Sequence, residues 1–477
     1  MTARVYVSAA HKSSGKTTLA IGLARALKGL GATVQPYKKG PDYIDPLWLT
    51  KAAGRPCHNL DYHTMGASEI TALYEDAARG ADVLMIEGNK GLYDGVALDG
   101  SNSNAALVHQ LQTPVVLVID CRGVTRGLAP LVLGYRHFDP SMPIAGIVLN
   151  RVGGARHEGK LRAVLARYTD VPVLGAVHES ADLAITERHL GLVPSGEWDG
   201  AEDLIERLAH AVRAQVDVEA IRRLGEDGRL PAGAPGAGMR RADVRIGIIR
   251  DRAFSFYYPG DLEALERAGA KLVFVDALRD ERLPPVDGLF IGGGFPETEA
   301  QALSANSPLR ARVRAAIEAG LPTYAECGGL MYLTRSLTFA GRSYPMAGVI
   351  AADTVMEAHP AGHGYVALKA RGVHPWARGA LDQGSIPAHE FHYSHLTNIA
   401  PDTVYAYDVT RGTGISGRRD GIVYKNCLAG YAHLRDVAAC PWTEAFVGFV
   451  RGHKHAALDP ASEPSARAQE ACLGEEL

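Results

Sequence analysis

Short apolar runs alternate with helix-length stretches from Arg4 to about Ser195. "ARVYVSA", "ATVQPYK", "DVLMIEG", "PVVLVID", "IAGIVLN" and "VPVLGAV" read as strands with few polar interruptions. Such runs suit strands covered on both faces of a parallel sheet, with helices as crossovers. Residues 201–224 carry the period of an amphipathic helix. The stretch "GEDGRLPAGAPGAGMRRAD" (225–243) then gives up periodicity for Gly, Pro and Ala, as a linker does. A second series follows with "VRIGII", "AKLVFVD", "GLFIGGG" and "LPTYAEC", and strand-like segments recur at 344–350, 364–369 and 404–408. From Arg451 the chain turns polar and Ala/Glu-rich, the pattern of a frayed tail. The pattern predicts two unlike α/β domains, 1–224 and 244–440, a linker at 225–243 and a flexible tail at 451–477.

Bulk composition narrows the function classes. At 477 residues the chain is too long for one ordinary core. Fifty Lys and Arg nearly balance fifty-three Asp and Glu, so no overall field favours nucleic acid or an anionic membrane. No apolar run approaches the roughly 20 residues a spanning helix needs. The opening "MTARVYVSAAHKSSGKTT" enters a strand without a leader pattern, and the six cysteines form no CxxC pair. A cytoplasmic location with free thiols is expected, and a homodimer is compatible with the sequence.

The first chemistry-bearing stretch is "AHKSSGKT" (10–17), set between a strand and a helix. Backbone amides around Ser14 and Gly15 and the helix start at Lys16–Thr18 attract phosphate, Lys16 neutralises it, and the Thr17 hydroxyl reaches Mg²⁺. Ala10 replaces the usual first glycine of the pattern. "KKGPDYIDP" supplies Asp42 and Asp45, and "IEGNKGLYDG" supplies Glu87 and Asp94. At the C-terminal ends of parallel strands such carboxylates converge where α/β sheets bind ligands. Asp45 and Glu87, with Thr17, are expected to hold Mg²⁺, with Asp42 and Asp94 at the ATP and substrate site. Asn150 in "VLNRV" is expected beside the nucleotide, its amide on the adenine edge, although Asn after a strand also forms turns.

The second is "PTYAECGGLMYL" (322–333). Cys327 follows a strand and precedes two glycines, an elbow that presents a nucleophile at a helix start. There its pKa is expected to be lowered. His433 in "GYAHLR" is the candidate base, and Gly293 and Gly294 of "FIGGGFPE" with Gly328 are candidates for an oxyanion hole. The other five cysteines read as buried filler. His389, His392 and His395, spaced i, i+3 and i+6, follow no strong zinc pattern and read as a structural cluster.

"HKSSGKTT", "KKGPDYIDP", "IEGNKGLYDG", "ERHLGLVP", "GGGFPE", "AECGGLMYL", "HEFHYS" and "GYAHL" together resemble the glutamine-dependent cobyrinic acid a,c-diamide synthase family, in order over about residues 4–437. The resemblance implies a dethiobiotin synthetase-like P-loop domain followed by a class I-like glutaminase domain. It implies ATP and glutamine as co-substrates, Mg²⁺ as cofactor and a tetrapyrrole as acceptor. Cys327 becomes the glutaminase nucleophile and His433 the residue that activates it. Asp42, Asp45, Glu87 and Asp94 fall at the ATP, Mg²⁺ and tetrapyrrole site. Class I glutaminases carry a carboxylate two residues after the His, and Arg435 stands there in this chain. Glu390 and Asp436 are the candidates for orienting His433. His11, Lys12 and Lys90 make the two loops more basic than the resemblance leads one to expect and bear on substrate choice, a sirohaem-type ring being the alternative. The rival from another class is a P-loop switch ATPase for metal insertion or partitioning, which leaves Cys327 and His433 without a role.

Overall fold

The computed structural model describes residues 2–185, 187–188, 191–226, 238, 240–377, 379, 381 and 384–458. By internal packing the chain divides into two units, Met1–Ala237 with Phe256–Gly260, and the remainder from Gly238 onward. The predicted linker falls mostly on 227–237, outside the described residues.

In the first unit the predicted runs become strands, mostly buried, and a short β3 joins them: β1 (Ala3–Ala9), β2 (Val34–Lys39), β3 (His58–Leu60), β4 (Val83–Glu87), β5 (Val115–Asp120), β6 (Ile144–Val152) and β7 (Val173–His178). All pair in parallel, in the order β3-β2-β4-β1-β5-β6-β7. The crossovers include α1 (Lys16–Gly29), α2 (Ile44–Ala53), α3 (Ala67–Ala77), α4 (Asn104–Leu111), α5 (Leu128–Phe138) and α6 (Ala155–Tyr168). A two-stranded ribbon, β8 (Glu187–Arg188) with β9 (Gly191–Leu192), precedes the last helical stretch. That stretch is two helices, α7 (Ala201–Gln215) and α8 (Val218–Arg222), rather than the single one predicted over 201–224. The break falls where Val216 bridges to Gly175 and Asp217 caps α8 through Ala220 N.

The second unit has a nine-stranded mixed sheet. β10 (Val244–Ile249), β11 (Ala270–Val275), β12 (Gly288–Ile291) and β13 (Thr323–Glu326) are parallel, interleaved with α9 (Pro259–Arg267), α10 (Ala300–Ala305) and α11 (Ser307–Glu318). α12 (Gly328–Leu333) follows β13 directly. A small sheet comes next, from β14 (Thr334–Phe339), β15 (Arg342–Pro345), β16 (Ile350–Met356) and β19 (Ser394–Thr397). β17 (Gly362–Ala370), β18 (Ile386–His392), β20 (Val404–Arg411), β21 (Arg419–Tyr424) and β22 (Cys427–Gly430) complete the large sheet in the order β11-β10-β12-β13-β22-β21-β20-β17-β18.

Two expectations need correction. Residues 344–350 are not one strand: amides 346–349 bond back to carbonyls of Tyr332–Arg335, which bends the chain between β15 and β16. Residues 451–458 are not tail but the last turns of a helix, Trp442–Leu458. Trp442, Phe446, Val447 and Val450 bury its apolar face, and Arg451 pairs with Asp243, so the folded unit runs past 440. Residues 459–477 lie outside the described set. Among the described residues no helix is long and apolar enough to cross a membrane.

Candidate active sites

In the first unit β2, β4 and β1 are adjacent and parallel, so their C-terminal ends share one edge. That edge receives the loop after β1, and Lys38 and Glu87 are register partners there. The loop is wound by two left-handed residues, Ser13 (φ 64°) and Gly15 (φ 84°), which turn successive amides to one side as an anion nest requires. It is braced from the end of β6. The Asn150 amide donates to Ser14 O at 2.9 Å, and Arg151 donates to Ser13 O at 2.7 Å while pairing with Asp120. A Cβ on Gly15 would sit 2.1 Å from the Asn150 amide nitrogen, so that position needs glycine twice over. One N–H of the Asn150 amide, expected on a base, thus braces the loop itself. Thr18 lies half-buried in the first turn of α1.

Beyond the loop the polar groups are dense. The Thr17 hydroxyl donates to Glu87 Oε1 at 2.5 Å and reaches Asp45 Oδ2 at 3.3 Å. Lys38, which the sequence reading passed over, sits 2.5 Å from Asp45 and 3.1 Å from Glu87. Burial works against its charge, but Asp45 and Glu87 outweigh it and raise its pKa. Burial pulls the Lys16 ammonium down to about 8 against the opposing field of Glu87. Glu87 is fully buried and its carboxyl is pushed up by that burial, with Lys38 opposing. Its Oε2 has no hydrogen-bond partner among the described residues. A hydroxyl and two carboxylates, one of them with an unsatisfied buried oxygen, form a hard-oxygen donor set of the kind that suits Mg²⁺.

Asp42 and Asp94 both accept from backbone amides close by. Asp42 accepts from Ile44 N and Asp45 N and so starts α2; burial, with Asp45 beside it, pushes its carboxyl up to about 7. Asp94 closes the loop after β4 by accepting from Gly91 N at 2.9 Å. Asn104 pins that loop from α4 through the carbonyls of Asn89 and Gly91. His11, Lys12 and Lys90 are exposed.

In the second unit the same rule assembles different chemistry. β12, β13 and β22 are adjacent and parallel, so the glycine loop, Cys327 and the segment carrying His433 emerge at one edge. Cys327 N donates to Gly430 O at 2.7 Å. Cys327 takes φ 47° and ψ −99°, a strained turn into α12. A Cβ on Gly329 would approach Ile291 O to 2.3 Å, one on Gly328 would lie 3.1 Å from Gly294 N, and one on Gly293 would lie 2.6 Å from His433 Cε1. The glycines thus let the elbow, the loop and the imidazole close on one another.

His433 is held on both sides. Its backbone pairs with His389, whose ring stacks on it at 4.9 Å. Its Nδ1 lies 3.3 Å from Glu326 Oε2. The two carboxylates proposed from sequence have partners of their own. Glu390 accepts from the amides of Thr413 and Gly414, and Asp436 accepts from Thr443. Glu326 was hidden inside an apolar strand, 107 residues from its partner. His389, His392 and His395 go separate ways, to His433, to Tyr431 and to Glu357.

The thiol itself departs from expectation. Burial, reinforced by Glu297 and Glu326, pushes Cys327 up rather than down. It rests as a thiol, so reactivity requires a base to take its proton as attack begins.

A phosphate-binding unit joined in one chain to a Cys–His unit defines a glutamine-using, nucleotide-dependent ligase. Residues 7–193 match the family described as the CobQ/CobB/MinD/ParA nucleotide binding domain, and 245–436 the CobB/CobQ-like glutamine amidotransferase domain. The chain is 44% identical over 458 residues to the cobyrinate a,c-diamide synthase of Magnetococcus marinus, covering 94% of this chain and 97% of that one. It is 38% identical to the one from Methanosarcina acetivorans (91% and 93% covered) and 40% identical to the one from Archaeoglobus fulgidus (90% and 94%). The chain belongs to the cobyrinate a,c-diamide synthase family, glutamine-dependent ligases that form amides.

Proposed function

We propose that this chain converts the a- and c-acetate carboxylates of cobyrinic acid, or of its metal-free counterpart hydrogenobyrinic acid, into amides, using ATP and glutamine. The nucleotide half of this reading is supported most directly by the unsatisfied Glu87 oxygen beside Thr17 and Asp45, next to a phosphate loop. A carboxylate and ammonia do not condense at neutral pH, so the carboxylate must first be activated. Transfer of the γ-phosphoryl from ATP to the carboxylate oxygen gives an acyl phosphate and ADP. Lys16 stabilises the negative charge on the phosphoryl group. Mg²⁺ held by Thr17, Asp45 and Glu87 supplies charge neutralisation when bound.

In the second unit Cys327 Sγ attacks the glutamine carboxamide carbon while His433 takes the thiol proton. Amides of Gly293, Gly294 and Gly328 are the candidates to stabilise the oxyanion. His433 returns the proton to the departing nitrogen, releasing ammonia, and water hydrolyses the thioester to glutamate. Ammonia then displaces phosphate from the acyl phosphate. A switch ATPase of the same nucleotide-binding class leaves the second unit unused.

The test is turnover of cobyrinic acid, hydrogenobyrinic acid and sirohaem side by side, with product masses read at one and two amidations. Doubly amidated cobyrinic acid is expected. Amidation of sirohaem with cobyrinic acid untouched transfers the activity to the other ring and gives the exposed His11, Lys12 and Lys90 a part in that choice.

A further inference from the structure

We propose that Glu326 is the positioning residue of the glutamine-hydrolysing unit, supplied from the strand that carries the nucleophile rather than from beyond the histidine. The inference rests on the glutaminase reading of Cys327 and His433. The place two residues after the histidine is Arg435, and the carboxylates of Glu390 and Asp436 are engaged elsewhere. Glu326 lies within hydrogen-bond reach of the ring, and both side chains are buried.

Its two oxygens divide the work. Oε2 faces His433 Nδ1 at 3.3 Å, and Oε1 accepts from Leu434 N at 2.9 Å and from the Tyr324 hydroxyl. One carboxylate therefore grips both the imidazole and the peptide that follows it. Tyr324, two residues back on the same face of β13, holds the carboxylate in turn. A carboxylate oxygen can only accept from an N–H at that place, so the contact favours the His433 tautomer that carries its proton on Nδ1. Nε2 is then the basic atom. The thiol proton passes to Nε2 as the S–C bond forms, and from Nε2 to the leaving nitrogen as the C–N bond breaks. Glu326 steadies the transient imidazolium without taking the proton, as the buried Asp of a Ser–His–Asp triad does.

The backbone makes this placement available. On a strand, Glu326 and a continuing residue 327 would point to opposite faces. The positive φ of Cys327 ends that alternation, turning the chain into α12 while Glu326 remains in the strand. Nucleophile and orienting carboxylate are thus set by adjacent residues, and only the base has to arrive from elsewhere in the fold.

The test uses the full chain and steady-state glutamine hydrolysis. Glu326→Gln keeps an acceptor for Leu434 and Tyr324, and should lower kcat about 100-fold with KM within about threefold. Glu326→Asp should recover part of that loss. In the His433→Ala background Glu326→Gln should cost nothing further, because its effect runs through the ring. Nitrogen-15 imidazole spectra of the unsubstituted protein provide a readout that needs no Glu326 variant. The resonance lost in His433→Ala should report an Nδ1–H tautomer. Wild-type kcat in Glu326→Gln, multiplied losses in the double variant, or an Nε2–H tautomer overturns the assignment. Undiminished glutamine hydrolysis by Cys327→Ala sinks the glutaminase reading itself, and the two failures are therefore separable.

Discussion

Lys38 Nζ lies 3.1 Å from Glu87 Oε1, one position across two parallel strands, so a buried ammonium rests on a carboxylate proposed to hold Mg²⁺. Lys38 and the metal are then alternative neutralisers of the same charge. Removing one partner of a buried pair costs about 3–5 kcal/mol because the other is left uncompensated. Lys38→Met should therefore lower the melting temperature of the metal-free protein, and saturating Mg²⁺ with ADP should recover much of the loss. Equal losses in chelator and in Mg²⁺–ADP would show that Lys38 and the metal do not share a site.

The phosphate loop should carry a pH signature. The Lys16 ammonium is pulled from its ordinary 10.5 to about 8, first by burial, against Glu87. Its folded pKa lies below the unfolded one, so between about pH 8 and 10.5 the unfolded chain holds a proton that the folded chain has released. The penalty for burying the charge is present below that window and fades as pH rises through it. Phosphate, in contrast, needs the charge. Affinity for ADP measured calorimetrically should fall as pH passes about 8, approaching about tenfold per unit, and Lys16→Arg should flatten the curve. Lys39 is also lowered to about 8 by burial, so Lys39→Arg is the control and should leave the fall in place.

Asp45→Asn and Glu87→Gln should reduce kcat for amidation by about 100-fold or more while weakening ATP binding far less. Groups that place a cation on a transferring phosphoryl act mainly in the transition state. Unchanged kcat in either variant returns that residue to a structural part in the Lys38 pair.

What the chain discloses before folding follows from how local each signal is. The buried parallel strands and the loop at 10–17 were legible because both are contiguous: apolar runs, and a glycine–lysine turn between strand and helix. Cys327 was legible for the same reason, since the elbow is written in adjacent residues. Partnerships were not. That Asn150 also braces the loop through Ser14 O, 136 residues away, is written nowhere in its neighbourhood. Glu326 reads as a strand residue until β22, whose Gly430 pairs with it, leads the following segment and His433 back to its carboxylate. Lys38 stands in a stretch noticed for its aspartates, and its importance comes from register with Glu87. The tail predicted over 451–477 is helix as far as 458, where Arg451 and Lys454, polar in sequence, pair with Asp243 and Asp287.

Cys327 offers the sharpest separation of chemistry from architecture. If its thiolate only releases ammonia, Cys327→Ala should abolish glutamine-supported amidation yet keep the rate with ammonium salts. Loss of a covalent nucleophile costs roughly 10³-fold or more, which makes the ratio of the two rates decisive. His433→Ala should shift the ratio in the same direction. The backbone adds a second measurement. A non-glycine residue at φ 47° is strained by about 1–3 kcal/mol, and glycine adopts that conformation freely. Cys327→Gly and Cys327→Ala lose the same chemistry, but the glycine variant should be the more stable by about 1 kcal/mol. A cysteine serving only as core filler behaves otherwise: its loss depresses both nitrogen sources together. An unchanged rate ratio in folded Cys327→Ala would place Cys327 in the core, whatever the strain at its backbone.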